Sequence, residues 1–395
     1  MNDIANRHRP ETLAIHWPRF GPYHLARLQA TCNYMKPLEI RVVGLETAYK
    51  DGIYPWRQES GSAQFERYTA FPRNSYKSVS WIKVVKRLFK LLNTINPTAV
   101  AINGYSTVDS LAILSWCILN QRPAILMMES KRNDAPRQVW KEKIKRGMVS
   151  RFMSALCGGS LQRAYLEELG MPSKKIFLGY DAVDNDYFEQ ASHRVRKSPG
   201  AYRNLPGLET PGYFFLASAR FIPRKNLDGL LLAYSRYRYQ MRGLGLFPWR
   251  LVILGDGEER SSLEKMILDQ EIEGTSLPGF RQIDELPAYY GLASVFIHPP
   301  LQEQWGLVVN EAMASGLPVL ISERCGCVPD LIQEGLNSFC FNPQDLSTLV
   351  QLMLRCSTGE INLKDVGEAA RQHIRDWGPE RFAQGMYQAL RVALC

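Results

Sequence analysis

The chain has 395 residues, 45% hydrophobic and 22% charged, which suits two globular domains with real cores and argues against a disordered chain. Its net charge of +9 is uneven: residues 1–200 hold 30 Lys and Arg against 17 Asp and Glu, the remainder 18 against 22. A basic first half suits an anionic lipid surface or an anionic acceptor, and no nucleic-acid motif with interleaved aromatics accompanies it, so nucleic acid is not an expected partner.

The opening MNDIANRHRPETLAIHW has no apolar stretch of the secretory kind, and the longest apolar run, near Leu111–Leu119, is broken by Ser115. That run is too short to span a bilayer, so a cytoplasmic protein is expected, soluble or peripheral on the inner face of the membrane. Thr12–Trp17 reads as a first strand, Pro18–Pro22 as a turn, and a helix follows from about His24. Leu38–Leu45 reads as a second strand, and Ala99–Asn103 and Ala124–Met128 as further buried strands with helices between them. Residues 79–92 carry an apolar stripe at Trp81, Val84, Val85, Leu88 and Leu92, with Lys83, Lys86, Arg87 and Lys90 mostly off it. A crossover helix is favoured there over a helix lying on a membrane. The segment Lys131–Arg151, with eight basic residues, is the better lipid or acceptor patch.

Residues 190–211 are basic, rich in Pro and Gly, and read as a domain linker. A second alternating run follows, with strands at Tyr213–Ala217, Arg250–Leu254, Val295–His298, Pro318–Ile321 and Ser338–Phe341, then a last helix to about Leu394. Strands alternating with helices imply parallel sheets with crossover helices. Eight cysteines, at 32, 117, 157, 325, 327, 340, 356 and 395, form no disulfide-like framework. Cys325-Gly-Cys327 has no partner pair at zinc spacing, so reduced thiols and no bound metal are expected.

The most informative stretch is LQEQWGLVVNEAMASGLPVLIS, residues 301–322. It reads as an acidic loop, a glycine turn, a short helix starting near Gly306, a stop at Gly316 and a buried strand. Glu303 falls before the helix and Glu311 inside it, beside the carboxyl end of the strand Val295–His298, where open α/β sheets bind ligands.

This arrangement resembles the E-x7-E signature of the retaining glycosyltransferases of family four (glycosyl transferases group 1). Further matches occur in order: Ala219–Asn226 (ARFIPRKN) with the family's phosphate segment, Leu251–Gly257 (LVILGDG) with its strand and turn, Pro278–Arg281 and Leu286–Tyr290 with its stretch near the nucleobase, and Asp330–Asn337 with its E-L-I-x-x-G segment. The resemblance is strong over roughly 205–377 and weaker before it. It implies an α/β protein of GT-B fold, two Rossmann-like domains whose parallel sheets face across a cleft. The expected domains are an acceptor-side domain at 1–205, a donor-binding domain at 206–377, and a helix at 378–395 crossing back to the first.

A nucleotide-diphosphate sugar needs positive charge where the leaving oxygen develops, and Arg220 and Lys225 supply a planar fork and a compact point charge. The resemblance assigns Glu311 to the ribose hydroxyls and Glu303 to the hydroxyls of the transferred sugar. Arg220, Lys225 and Glu303 are therefore the catalytic candidates. Gly306 and Leu307 would present backbone amides, Gly255 and Gly257 would allow close approach of the nucleotide, and Phe280 and Arg281 would lie near the base. Gly-Asp-Gly lacks the third glycine of a dinucleotide fingerprint, and no Asp-x-Asp triplet stands at a strand end, so neither NAD nor a metal-held diphosphate is expected. On the acceptor side the candidates are Gly21, His24, Glu129 and Asp134; the family's histidine after a later strand is replaced by Met127-Met-Glu129-Ser130.

The reading is a hexosyltransferase-type enzyme that retains anomeric configuration, needs no cofactor beyond its nucleotide-sugar donor, and acts on a lipid-linked or envelope-polysaccharide acceptor. The alternatives are a GT-B epimerase or phosphorylase, or a nucleotide-sugar binding protein without catalysis.

Overall fold

The computed structural model describes residues 11–50, 56–57 and 65–395. The first ten residues, part of the opening read above, lie outside the described residues. The chain divides into two compact units, Met1–Ala182 with Gly378–Cys395, and Val183–Trp377.

Among the described residues the first unit holds seven strands, β1 (Thr12–Trp17), β2 (Arg41–Lys50), β3 (Glu66–Ser75), β4 (Ala99–Asn103), β5 (Ala124–Met128), β6 (Ser154–Cys157) and β7 (Ile176–Leu178). Every pairing is parallel, in the order β3-β2-β1-β4-β5-β6-β7. One face is covered by the helices Trp81–Ile95, Val108–Leu119 and Ser160–Glu168, through Leu88, Leu92, Ile113, Trp116 and Leu166. The other is covered by Pro22–Met35 and Pro379–Leu394, through Leu28, Met35, Phe382, Met386 and Leu390. Burial on both faces makes β5 a continuous apolar run and β4 one up to Asn103, while β1 also buries His16.

The second unit holds β8 (Phe214–Ser218), β9 (Arg250–Leu254), β10 (Thr275–Gly279), β11 (Val295–His298), β12 (Val319–Ser322) and β13 (Ser338–Phe341), all parallel in the order β10-β9-β8-β11-β12-β13. The winding reverses between β8 and β11, as it does between β1 and β4. Each unit is thus a doubly wound, Rossmann-like sheet with a crevice at its reversal.

Three expectations are corrected, and the strands β3, β6, β7 and β10 are additions to the sequence reading. The second strand starts at Arg41, because Lys36–Leu38 forms a short 3-10 turn that ends with Glu39 in the left-handed region. The strand β3 was not read at all: ERYTAFPRNS is polar, carries Pro72 and lies at the sheet edge, where proline is tolerated and one side faces solvent. The buried stripe of Trp81–Ile95 is Val84, Leu88, Leu92 and Ile95, with Trp81 left exposed at the helix start. Finally, the segment taken as a linker opens inside the helix Asn185–Lys197, N-capped by Asp184 and buried through Phe188, Ala191 and Val195. Its Arg194, Arg196 and Lys197 suit the negative end of the helix dipole, which masked the helical period in the sequence. The chain leaves the first unit before this helix, at Ala182, and returns after Trp377. Among the described residues none of the eight cysteines forms a disulfide. Among the described residues no helix is long and apolar enough to cross a membrane.

Candidate active site

After β8 the chain folds back over the end of β9. Ala219 N–H donates to the Leu254 carbonyl at 3.0 Å and Phe221 N–H to that of Asp256 at 2.9 Å. Pro223–Lys225 makes one 3-10 turn, ended by Asn226 at φ 56°. Proline presets the turn and asparagine tolerates the left-handed region. The buried Asn226 amide donates to the carbonyls of Pro299 and Pro343, each at 3.1 Å, and Leu301 N–H donates to Arg224 O at 2.9 Å. These bonds stitch the loop after β8 to the loops after β11 and β13.

That stitching sets Lys225 against Glu303. Lys225 Nζ donates to Glu303 Oε2, and His298 Nε2, at the end of β11, lies 3.4 Å from the same oxygen. Glu303 is 7% exposed and His298 1%. Burial works against the Glu303 charge, yet His298 and Lys225 outweigh it and hold the carboxyl well below the ordinary range. Burial likewise pushes His298 down, with Glu303 pulling the other way. The outcome is a buried, ionised carboxylate poised between a cation and an imidazole.

Gly306 then turns the chain at φ 107° into the helix Leu307–Ala314. A Cβ at Gly306 would meet His298 Nε2 at 3.3 Å, so the turn and the acidic pocket share one small space. The Leu307 and Val308 amides lie at the positive end of this helix's dipole, and Val309 N–H donates to the Gly306 carbonyl at 2.9 Å. Glu311, 1% exposed, lies one turn in and accepts a hydrogen bond from Tyr290 O–H at 2.7 Å. Trp305 Nε1 donates to Asn310 Oδ1 at 3.0 Å and ties the loop to the helix.

Of the residues singled out in the sequence, Lys225, Glu303, Gly306, Leu307 and Glu311 fall on two adjoining loops and one helix at the β8–β11 reversal. Arg220 is half-buried in the same loop as Lys225. The space beside Gly255 and Gly257 is filled by the chain itself: a Cβ would lie 1.8 Å from Ala219 O at Gly255 and 2.4 Å from Phe221 O at Gly257. Phe280 and Arg281 follow β10, two strands from β8, and Arg281 pairs with Glu285 at 3.2 Å.

In the first unit Gly21 N-caps Pro22–Met35, and its N–H donates to His24 Nδ1 at 2.9 Å. Burial first, then the charges of Arg27 and Arg19, lower the His24 pKa from 6.5 to about 3. His24 is thus a neutral capping acceptor packed on Trp17, ring centroids 4.9 Å apart. Because the folded value is depressed, its contribution to stability is complete above pH 6.5 and is lost as pH falls towards about 3. His24→Asn is therefore expected to flatten the decline of the denaturant midpoint between those values. Parallel declines for both proteins would show that the ring does not set this pH dependence. Asp134 Oδ2 accepts from Lys131 N–H at 2.8 Å, the role of a turn cap, and Glu129 follows β5 half-buried.

His298 and Tyr290 were not singled out as site residues. A histidine closing an apolar strand was the available signal for the first; the Tyr290–Glu311 contact had none. A buried cluster in the first unit was also missed. His16 Nε2 lies 3.0 Å from Thr47 Oγ1 and 3.5 Å from Asp109 Oδ2, Thr47 donates to Asp109 at 2.8 Å, and Tyr76 O–H donates to its other oxygen at 3.0 Å.

Residues 201–373 match the family model described as Glycosyl transferases group 1. A sulfoquinovosyl transferase of Arabidopsis thaliana is 38% identical over 133 residues, 32% of this chain and 25% of that protein. The amylovoran biosynthesis glycosyltransferase AmsK of Erwinia amylovora is 31% identical over 166 residues, 40% of this chain and 39% of that protein. The matched regions thus span a quarter to two fifths of these relatives' own lengths. The crystal structure of Anabaena HepE in complex with UDP superposes with a TM-score of 0.70 over 96% of this chain and 99% of that one, at 15% identity. The two parallel sheets and this likeness give the chain the GT-B fold of glycosyltransferases.

Proposed function

Since residues 201–373 belong to the glycosyl transferases group 1 family, we propose that the chain transfers a hexosyl group from a nucleotide-diphosphate sugar to an acceptor hydroxyl with retention of configuration. The observation that carries this reading is the Lys225–Glu303 pair beside the helix of Glu311 at the β8–β11 reversal. Arg220 and Lys225 neutralise the diphosphate, and the Leu307–Ala314 dipole adds to them. Glu311 accepts from the ribose hydroxyls, and Glu303 from the hydroxyls of the sugar. The anomeric carbon–oxygen bond to the diphosphate breaks as a bond to the acceptor oxygen forms on the same face. The acceptor proton passes to the departing phosphate oxygen, so no protein nucleophile is needed. That the Anabaena neighbour is in complex with UDP supports a nucleotide ligand for this chain.

Calorimetry with nucleoside diphosphates separates the two acids. Glu311→Gln should weaken binding, because its partner is the ribose. Glu303→Ala should spare binding and stop transfer from a nucleotide-sugar panel. Equal losses in both variants would refute the assignment, and conversion of the donor sugar without an acceptor would identify an epimerase instead.

Two cations and a helix end take the place of a metal clamp in this reading. Transfer should therefore survive excess chelator, and a complete loss restored by magnesium or manganese would overturn that part of it.

A further inference from the structure

In the first unit two crossover helices turn unusual outer surfaces to solvent. Trp81–Ile95 buries Val84, Leu88, Leu92 and Ile95, yet leaves Trp81 64% and Ile82 48% exposed. Val139–Val149 leaves Val139 77%, Trp140 59% and Ile144 58% exposed. The exposed charges between these residues are of one sign: Lys83, Lys86 and Lys90 on the first helix, Lys141, Lys143 and Arg146 on the second. The first helix contains no acid. The only acid of the second, Glu142, is taken up by Lys145 at 2.8 Å and by Tyr165 O–H at 2.8 Å. An open groove of about 560 Å³ runs over Val85 and Phe89 between Lys86 and Lys90.

Both helices contribute to one core, on the same face of the sheet, through Leu88, Leu92 and Val149. Each begins a crossover back from the carboxyl end of a parallel strand, so its N-terminal turn, with Trp81–Ile82 or Val139–Trp140, lies towards that edge. Exposed tryptophan and isoleucine among lysines, with no acid left unpaired, match the interface of an anionic bilayer. The rings and branched chains enter the headgroup boundary while the lysine stems carry their charges to phosphate.

We infer that the N-terminal turns of Trp81–Ile95 and Val139–Val149 form a docking surface for anionic phospholipid. The surface itself is independent of the transfer chemistry. Its consequence, an acceptor carried by lipid and presented at the carboxyl edge of the first sheet, rests on the function proposed above.

The test uses the full chain and phosphatidylcholine vesicles with and without phosphatidylglycerol. Co-sedimentation is expected with the anionic vesicles at low salt and is expected to fall as salt rises. Trp140→Ser with Ile144→Ser should weaken it at least about tenfold through lost apolar burial, and each of Lys141→Glu and Lys143→Glu at least about fivefold. Phe247→Ser, at a 94% exposed position of the second unit, should change nothing. These positions are exposed, so thermal midpoints should stay near that of the unmodified chain. Nucleoside diphosphate binding, measured in parallel, reports on the second unit alone and keeps a failure here distinct from a failure of the transferase reading. No binding to anionic vesicles, equal binding to neutral ones, an equal loss in Phe247→Ser, or a self-association that the Trp140 and Ile144 changes abolish would each overturn the proposal.

Discussion

Lys225→Ala and Arg220→Ala are each expected to lower turnover at least about 100-fold, the scale of losing one donor to a developing negative charge. The two differ in what else they disturb. Lys225 is paired with a carboxylate that is 7% exposed, so its removal leaves the Glu303 charge with His298 alone. Lys225→Ala should therefore also lower the thermal midpoint, because a buried charge stripped of its partner is costly. Arg220 is half-buried in the preceding turn, and its loss should act mainly on nucleoside diphosphate affinity and rate. Steady-state kinetics with a nucleotide-sugar donor, read beside thermal unfolding, checks both effects. Near-normal turnover in both variants would remove the pair from the site.

Gly255→Ala is expected to cost at least about 3 kcal/mol, from overpacking added to backbone strain. The backbone there is at φ 126°, and a methyl group would lie 1.8 Å from the Ala219 carbonyl oxygen. That carbonyl belongs to the loop of Arg220 and Lys225, so relief of the clash must displace the proposed phosphate-binding segment. Loss of stability and loss of nucleotide binding should appear together. Gly147→Ala is the contrasting case: it lies in the helix Val139–Val149 with nothing within 4 Å of the added carbon, and should hold or raise stability. A midpoint for Gly255→Ala equal to that of the unmodified chain would show that the 219–221 loop can move away without penalty.

Most strands buried on both faces were legible because burial leaves few residue types to choose from; the four-residue β6 (Ser154–Cys157), equally buried, was too short to stand out. Ala99–Asn103, Ala124–Met128, Arg250–Leu254, Val295–His298 and Ser338–Phe341 read at their observed bounds. The edge strand Glu66–Ser75 was invisible, since a strand with one solvent-facing edge needs no apolar run and its composition matches a loop. The helix Asn185–Lys197 was hidden in the same way, with its three buried apolar side chains, Phe188, Ala191 and Val195, diluted by five charged ones.

The sequence by itself determined the local geometry of the candidate site. Gly306 and Gly316 bracket a short helix, Pro223 and Asn226 shape the turn that carries Lys225, and eight positions separate Glu303 from Glu311. These are properties of neighbouring residues, set by backbone sterics and helical spacing. Only the tertiary structure decided that Lys225 meets Glu303 and His298, and that Tyr290 supports Glu311. The contact between Lys225 and Glu303 crosses 78 positions of chain. It exists because β8 and β11 are neighbours in the sheet and Asn226 clamps the loops that follow them, and no local pattern of residues encodes either fact.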